Sequence, residues 1–323
     1  MPQTMPRTMI FAVLAGVASG VVFIAPMYES VLGMLFINFT HLPLFLVGLG
    51  LGTVAVGVAA LTGTVFVGVA HGVGPLLSFL AIIALPTALA VRQALLWRKA
   101  DDGKVAWYPP GRLLALMVCY GAAAFILLYM VMGNDNTGGG IGMIESMRAL
   151  LDEMFSVMAP NMAGSERLLA ADLWAPYIPA ALIVSWIITL TINGAFAQKL
   201  LKKAGRNVRP TLEYSQTELP LPFVFALVAS GALWYFTSGV SAFFGQTLTI
   251  IIALAYLFVG LTVVHKLSQG WPMRPFVLTL FYLMLLFLLG WPGLALVAGV
   301  GLADQLFQLR PRFAGPAPHE EDE

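Results

Sequence analysis

The chain has 323 residues, 59% of them hydrophobic and only 10% charged, with a formal net charge of +1 and a mean hydropathy of +0.87. A soluble domain carries about 25% charged residues and must face water with much of its surface, so this composition excludes a water-borne fold. The near-neutral balance excludes a basic nucleic-acid-binding footprint.

In lipid every backbone polar group must bond internally, which leaves helices or a closed barrel. The apolar runs here are long and unbroken, without the alternation of barrel strands, so the expected fold is an all-α polytopic transmembrane helical bundle of about 8–10 spans. The first run, Met9–Ile24 behind Arg7, has the look of a secretory signal, yet so many spans follow that it reads as a retained first span.

Taken in order, the candidate spans are Thr8–Ala25, Leu32–Gly52, Thr53–Ala70 and Pro75–Leu96, an N-terminal bundle over residues 1–98. A loop over 99–111 leads into a C-terminal region, 112–307. It holds Arg112–Met132, Trp174–Ala197, Leu221–Gly239, Phe244–His265, Pro275–Leu289 and Pro292–Phe307. The tight junction of the second and third spans allows a lower count.

Orientation follows from Lys and Arg in short loops. Arg7, the loop Arg92–Arg112, the loop 198–220 with Lys199, Lys202, Lys203, Arg206 and Arg209, the Lys266–Arg274 turn, and Arg310 with Arg312 all fall on one side. Both termini are therefore expected in the cytoplasm. The opposite segment, 133–173, has six acidic residues and two arginines. Within it Ile144, Met147, Leu151, Met154 and Met158 recur at helical spacing, predicting an amphipathic helix over Ile141–Met158 that lies at the outer headgroups. Proline and Glu320–Glu323 predict a disordered acidic tail over 308–323.

The vocabulary of catalysis is missing: no phosphate loop, no His-Glu-x-x-His, no nucleophile elbow and no cysteine pair, Cys119 being single. No enzyme activity, cofactor or metal site is expected. Gly48-Leu49-Gly50-Leu51-Gly52 sits inside a span, without the strand–turn–helix setting of a dinucleotide turn. Small residues Ala12, Gly16 and Gly20 on the first span, and Ala295, Gly299 and Ala303 on the last, predict close helix packing or subunit contacts.

Polar groups inside the membrane are costly and mark function. Asn38, Thr40 and His41 cluster before Pro43 in the second span, either at the break of a discontinuous helix or in an outer loop. Glu29 and His71 fall at the outer ends of neighbouring spans and could share a cavity with His41. Asp304, with Arg310 and Arg312 beyond it, is expected to reach cytoplasmic water or pair with a loop cation.

Leu42-Pro43-Leu44-Phe45-Leu46-Val47-Gly48-Leu49, Ala204-Gly205-Arg206-Asn207-Val208-Arg209 with Glu218-Leu219-Pro220, and Gly299-Val300-Gly301-Leu302-Ala303-Asp304 together carry a resemblance. The chain resembles, over nearly its whole length, the YybS-like family of bacterial membrane proteins. That family is distantly similar to the substrate-binding subunits of energy-coupling-factor transporters, the likeness lying in Pro43–Pro86. It implies outer-side capture of a small solute, with a membrane coupling subunit as partner. The polar break and the outer span ends put forward Asn38, Thr40, His41, His71 and Glu29 as the binding groups, and the small-residue faces allow a homo-oligomer within the lipid. This chain departs from those subunits in having more spans than their usual six. The residue reading also allows a non-transporting scaffold that presents Lys199–Arg209 or the acidic tail to cytoplasmic partners.

Overall fold

The computed structural model of the protein describes residues 5–28, 31–99, 103–132, 140–210 and 217–313, and helices make up nearly all of them. Among the described residues eight helical stretches are long and apolar enough to cross a membrane. A ninth apolar helix, Pro222–Phe236, is shorter, at 15 residues. All ten candidate spans correspond to helix, the last two lying in one stretch, Arg274–Phe307.

The helices divide into two compact units, one of residues 1–117 and 185–213, the other of 118–184 and 214–323. The first unit opens with α1 (Met5–Ile24), which runs into a 3-10 turn, Ala25–Tyr28. The second span is discontinuous: α2 (Val31–Phe36), a 3-10 turn at Ile37–Phe39, then α3 (Leu42–Leu51) with Pro43 in its first turn. Pro43 lacks an N–H and sets its own φ, so it starts a helix well and continues one badly. Next come α4 (Thr53–His71) and α5 (Val73–Phe79), separated by Gly72 at φ 85. A π-helical stretch, Leu80–Ala84, leads to α6 (Leu85–Ala94).

That π stretch has a local cause. Pro86 has no N–H to give the carbonyl four residues back, at Ile82. The indole of Trp186 supplies the missing donor at 2.9 Å.

Close approach organises this unit. A methyl at Gly16 of α1 would run into the Ala59 carbonyl and Thr62 of α4, and Ala12 is fully buried. The small face expected on the first span is thus the α1–α4 contact, where lipid gives no hydrophobic drive and packing must do the holding. A two-stranded antiparallel hairpin, β1 (Trp97–Lys99) with β2 (Val105–Trp107), occupies the predicted loop.

Two helices are shared between the units: α7 (Pro110–Met132), which leaves the first unit after Met117, and α10 (Ile178–Lys203), which joins it at Ser185. After α10 the chain turns back onto the first unit. Arg209, only 6% exposed, donates from Nη1 to the Ala94 carbonyl and from Nη2 to Tyr108, and its guanidinium lies over the Trp107 ring. Gln198 and Asn207 both donate to the Arg209 carbonyl. Arg209 is therefore not the exposed loop cation that its sequence position suggests. It bonds a carbonyl at the end of α6 and one just after β2, while Lys199, Lys202, Lys203 and Arg206 stay exposed.

The second unit contains α8 (Gly140–Met158) and α9 (Gly164–Trp174). Ile144, Met147 and Phe155 pack with Leu151 against Ala171 and Ala175, so three of the five residues of the expected apolar face are covered by α9 and the turn after it. Arg148 pairs with Asp172, and Arg167 with Asp152 at 3.1 Å, across the same contact. Met154 and Met158 remain exposed.

Pro222–Phe236 is α11, and α12 (Gly239–Leu267) is the buried axis of this unit. α13 (Arg274–Leu283) continues through π-helix to Leu289, and Gly290, at φ 52 and ψ −133, breaks the line before α14 (Gly290–Phe307). That conformation suits glycine alone, since a side chain would meet the backbone.

The packing face of α14 corrects the one read from sequence. Ala295 and Gly299 are exposed, and nothing lies within 4 Å of a methyl placed at Gly299. Val297, Gly301 and Asp304 are buried instead, and a methyl at Gly301 would overlap the Tyr256 carbonyl of α12. Small residues stand on more than one face of this helix, so their spacing alone cannot choose among faces. A short helix, α15 (Leu309–Phe313), extends order past the boundary at 308 set for the tail. The Glu320–Glu323 run lies outside the described residues.

Candidate functional site at the broken second span

Between α2 and α3 the chain leaves helical bonding, and the freed carbonyls need donors where there is no water. Three side chains supply them, those of Ser19, Thr40 and Asn193, and a fourth, Thr87, holds His41 beside them. Ser19 of α1, fully buried, donates to the Thr40 carbonyl at 2.7 Å. Thr40 donates from its hydroxyl to Ile37 at 2.6 Å. Asn193 of α10 donates from Nδ2 to the Asn38 carbonyl at 2.7 Å and to Thr189 of its own helix at 2.8 Å.

Thr87 meets His41. The Thr87 hydroxyl donates to the Ile83 carbonyl at 2.6 Å, which uses its only hydrogen. His41 Nδ1, 2.8 Å from that oxygen, must then carry the proton and donate to it. The network thereby assigns the tautomer: in the neutral ring Nε2 is the acceptor. His41 is 2% exposed.

One group in this constellation has no partner. Asn193 is 2% exposed and both hydrogens of its amide are used, yet its Oδ1 is buried without a hydrogen bond among the described residues. A buried acceptor left alone costs about 1–3 kcal/mol. Trp186 and Asn193 stand seven residues apart on α10, two turns of one face, so a single face of α10 mends both the π stretch and the broken span.

The sequence-predicted residues separate here. Thr40 and His41 lie at the break, buried, and Thr87, Ser19 and Asn193 converge on them. Asn38 contributes its carbonyl, its side chain being exposed. His71 is elsewhere: its Nε2 is 3.2 Å from the Tyr28 hydroxyl at the end of α4. Ser19 and Tyr28 are nine residues apart on α1 and its 3-10 turn, which at the usual rises is about 15 Å. The structure therefore does not bring His71 into the His41 cluster. Glu29 lies outside the described residues.

Ser19, Thr87 and Asn193 were the missed members. Asn193 interrupts an apolar run as Thr191-Ile192-Asn193-Gly194, and the cost of an intramembrane amide is the signal that would have found it. Ser19 and Thr87 give no such signal, because either hydroxyl can bond its own helix.

Asp304 and Arg310 form the other polar centre predicted. Asp304 is 3% exposed, and it accepts from the Arg310 backbone N–H at 2.9 Å and from Nε at 2.7 Å. The same guanidinium donates to the Thr217 carbonyl, and Gln305 donates to Leu219. The carboxylate thus binds the segment before α11 to the end of α14, paired rather than reaching water. Among the described residues no three His, Cys, Asp or Glu side chains gather as metal ligands.

Searches of the curated proteins and of the solved structures found no match to this chain. A family model described as predicted membrane protein (DUF2232) does match, across residues 17–305, taking in both units, the broken second span and the buried Asp304. The chain is an integral membrane protein of the DUF2232 family.

Proposed function

We propose that this protein captures a small solute at the break in its second span, as a transport-type protein and not as an enzyme. The observation that carries the reading is Asn193 Oδ1, an uncommitted acceptor buried beside a discontinuous span. Transporters place substrate at such breaks, where unwound backbone is buried in protein or lines a cavity. His41 Nε2, left as an acceptor by the bond at Nδ1, adds a second recognition group. The resemblance to the substrate-binding subunits of energy-coupling-factor transporters supports the same reading and adds a coupling subunit as partner. Lysine and arginine placement supports cytoplasmic termini, and the resemblance to bacterial membrane proteins supports a bacterial inner membrane.

The test is a thermal-unfolding screen of purified protein against water-soluble vitamins, nucleosides, amino acids and monovalent cations. At least one compound is expected to raise the Tm, with the shift lost in Asn193→Ala and in His41→Ala. The reading fails if no compound shifts the wild-type protein, or if the shift survives both substitutions. The exposed cations Lys199, Lys202, Lys203 and Arg206 favour a second reading, a scaffold for cytoplasmic partners. Co-purification in mild detergent separates the two: ATPase subunits on a membrane partner support capture, and assembly proteins without an ATPase support the scaffold.

A further inference from the structure

The first unit contains an apolar groove that belongs neither to the broken span's polar cluster nor to any role given above. It encloses about 300 Å³ between α1, α3 and the chain at the end of α10. Its walls are Ala15 on α1, Pro43, Leu46 and Gly50 on α3, and Leu201 on α10, and among the described residues the one charged residue in its lining is Arg206. From Pro43 to Leu51 it follows α3 for eight residues, about 12 Å of helix. The apolar end is at the middle of the second span. The charged end is where α1 begins, α3 ends and α10 gives way to loop.

Every charged residue described on this unit is a cation. Arg7, Lys199, Lys202, Lys203 and Arg206 are all exposed on this unit. No Asp or Glu occurs among the described residues of the unit: its four acidic residues, Glu29, Asp101, Asp102 and Glu213, lie outside them. No described carboxylate in this unit is therefore available to cover the Arg206 guanidinium.

We propose that this groove is a lipid site, which takes one acyl chain of an anionic phospholipid whose phosphate rests on Arg206. The occupant follows from both ends of the groove. A free anion would satisfy Arg206 and leave the apolar walls empty. A zwitterionic lipid would fill the walls but bring its own ammonium beside the phosphate, with no net charge to set against the unit's cations. A basic pocket at the membrane boundary beside spanning helices is matched by an anionic headgroup, and an arginine fork bonds a phosphate through two parallel N–H groups. The lipid comes from the leaflet that the start of α1 meets.

The experiment uses the full chain, released from nanodiscs of phosphatidylglycerol or of phosphatidylcholine with the same acyl chains, and counts retained lipids by native mass spectrometry. One phosphatidylglycerol is expected to stay on the wild-type protein, with phosphatidylcholine retained far less. Arg206→Ala should cut the retained fraction by on the order of fivefold. Ala15→Phe, which fills the groove, should cut it as much without removing charge. If that variant does not elute as a single folded species, Leu46→Phe takes its place. Lys99→Ala, an exposed cation of the β1–β2 hairpin, should change nothing. Equal retention of the two lipids would overturn the site. So would a loss in Lys99→Ala matching that in Arg206→Ala, which would mean diffuse attraction, or a groove-filling variant that keeps its lipid.

Discussion

The His41–Thr87 pair shows how one hydroxyl settles the state of a buried histidine. Thr87 gives its hydrogen to Ile83, so it can only accept from the ring. Valine has the shape of threonine without the oxygen, and Thr87→Val leaves the Nδ1 hydrogen with no acceptor in a dry site. That substitution is expected to cost about 1–3 kcal/mol in reversible unfolding from mixed micelles. His41→Leu with Thr87→Val should recover part of the loss, because removing both partners leaves nothing unpaired. A double variant no more stable than Thr87→Val alone would show that the bond is not what the valine removes.

Arg209 makes a second case at this scale. Its two carbonyl partners are 115 and 101 residues away in sequence, at Ala94 and Tyr108. Bonds from a charged donor contribute about 1.5–3 kcal/mol each. Arg209→Ala is expected to destabilise the protein by at least about 2 kcal/mol, and Lys199→Ala, exposed on α10, by less than about 0.5 kcal/mol. Equal melting temperatures for the two would contradict the buried role. In the sequence the two cations look alike, members of one topogenic loop, because burial is decided by where β2 and the end of α6 come to lie.

At the scale of the element, α12 and α14 meet through glycines. A methyl at Gly260 would overlap the Val297 carbonyl, and one at Gly301 the Tyr256 carbonyl. Gly301→Val should therefore force the helices apart and cost about 3 kcal/mol or more, at the upper end of overpacking. Gly299→Val, two residues along on the open face, should stay within about 0.5 kcal/mol of wild type. Thermal unfolding of the pair measures the difference, and a reversed order would displace the assigned face. The span itself was legible as an apolar run, and its contact face was not. The Ala295, Gly299, Ala303 row and the Val297, Gly301, Asp304 row each satisfy the small-residue rule in part, and only the position of Tyr256 chooses between them.

The discontinuous second span teaches the same lesson from the other side. Pro43 and the polar run Asn38–His41 announced an interruption, as a loop or as a broken helix. A helix can be broken inside lipid only if donors arrive from elsewhere. They come from Ser19, 21 residues before its acceptor, and from Asn193, 155 residues after its own. No local pattern records partners at those separations.

For the molecule as a whole the testable statement is topological. Single cysteines at Glu29, Gly138 and Gly205, in a Cys119→Ser background, should react with an impermeant maleimide in whole cells at the first two positions only. Labelling of Gly205→Cys from outside would reverse the map, since the expected sides come from lysine and arginine placement.

The sequence by itself determined the solvent, the helical class, the approximate spans and the place where one span fails. Those follow from composition and from the rule that lipid accepts no unpaired backbone, and both act over a few neighbouring residues. Only the tertiary structure decided which small faces touch, that Arg209 and Asp304 are buried and paired, and that Asn193 and Trp186 mend two interrupted helices from one face of α10. Apart from the Asp304–Arg310 pair, six residues apart and already one of the expected alternatives, each depends on which residues from distant parts of the chain come together, a relation that hydropathy and spacing do not encode.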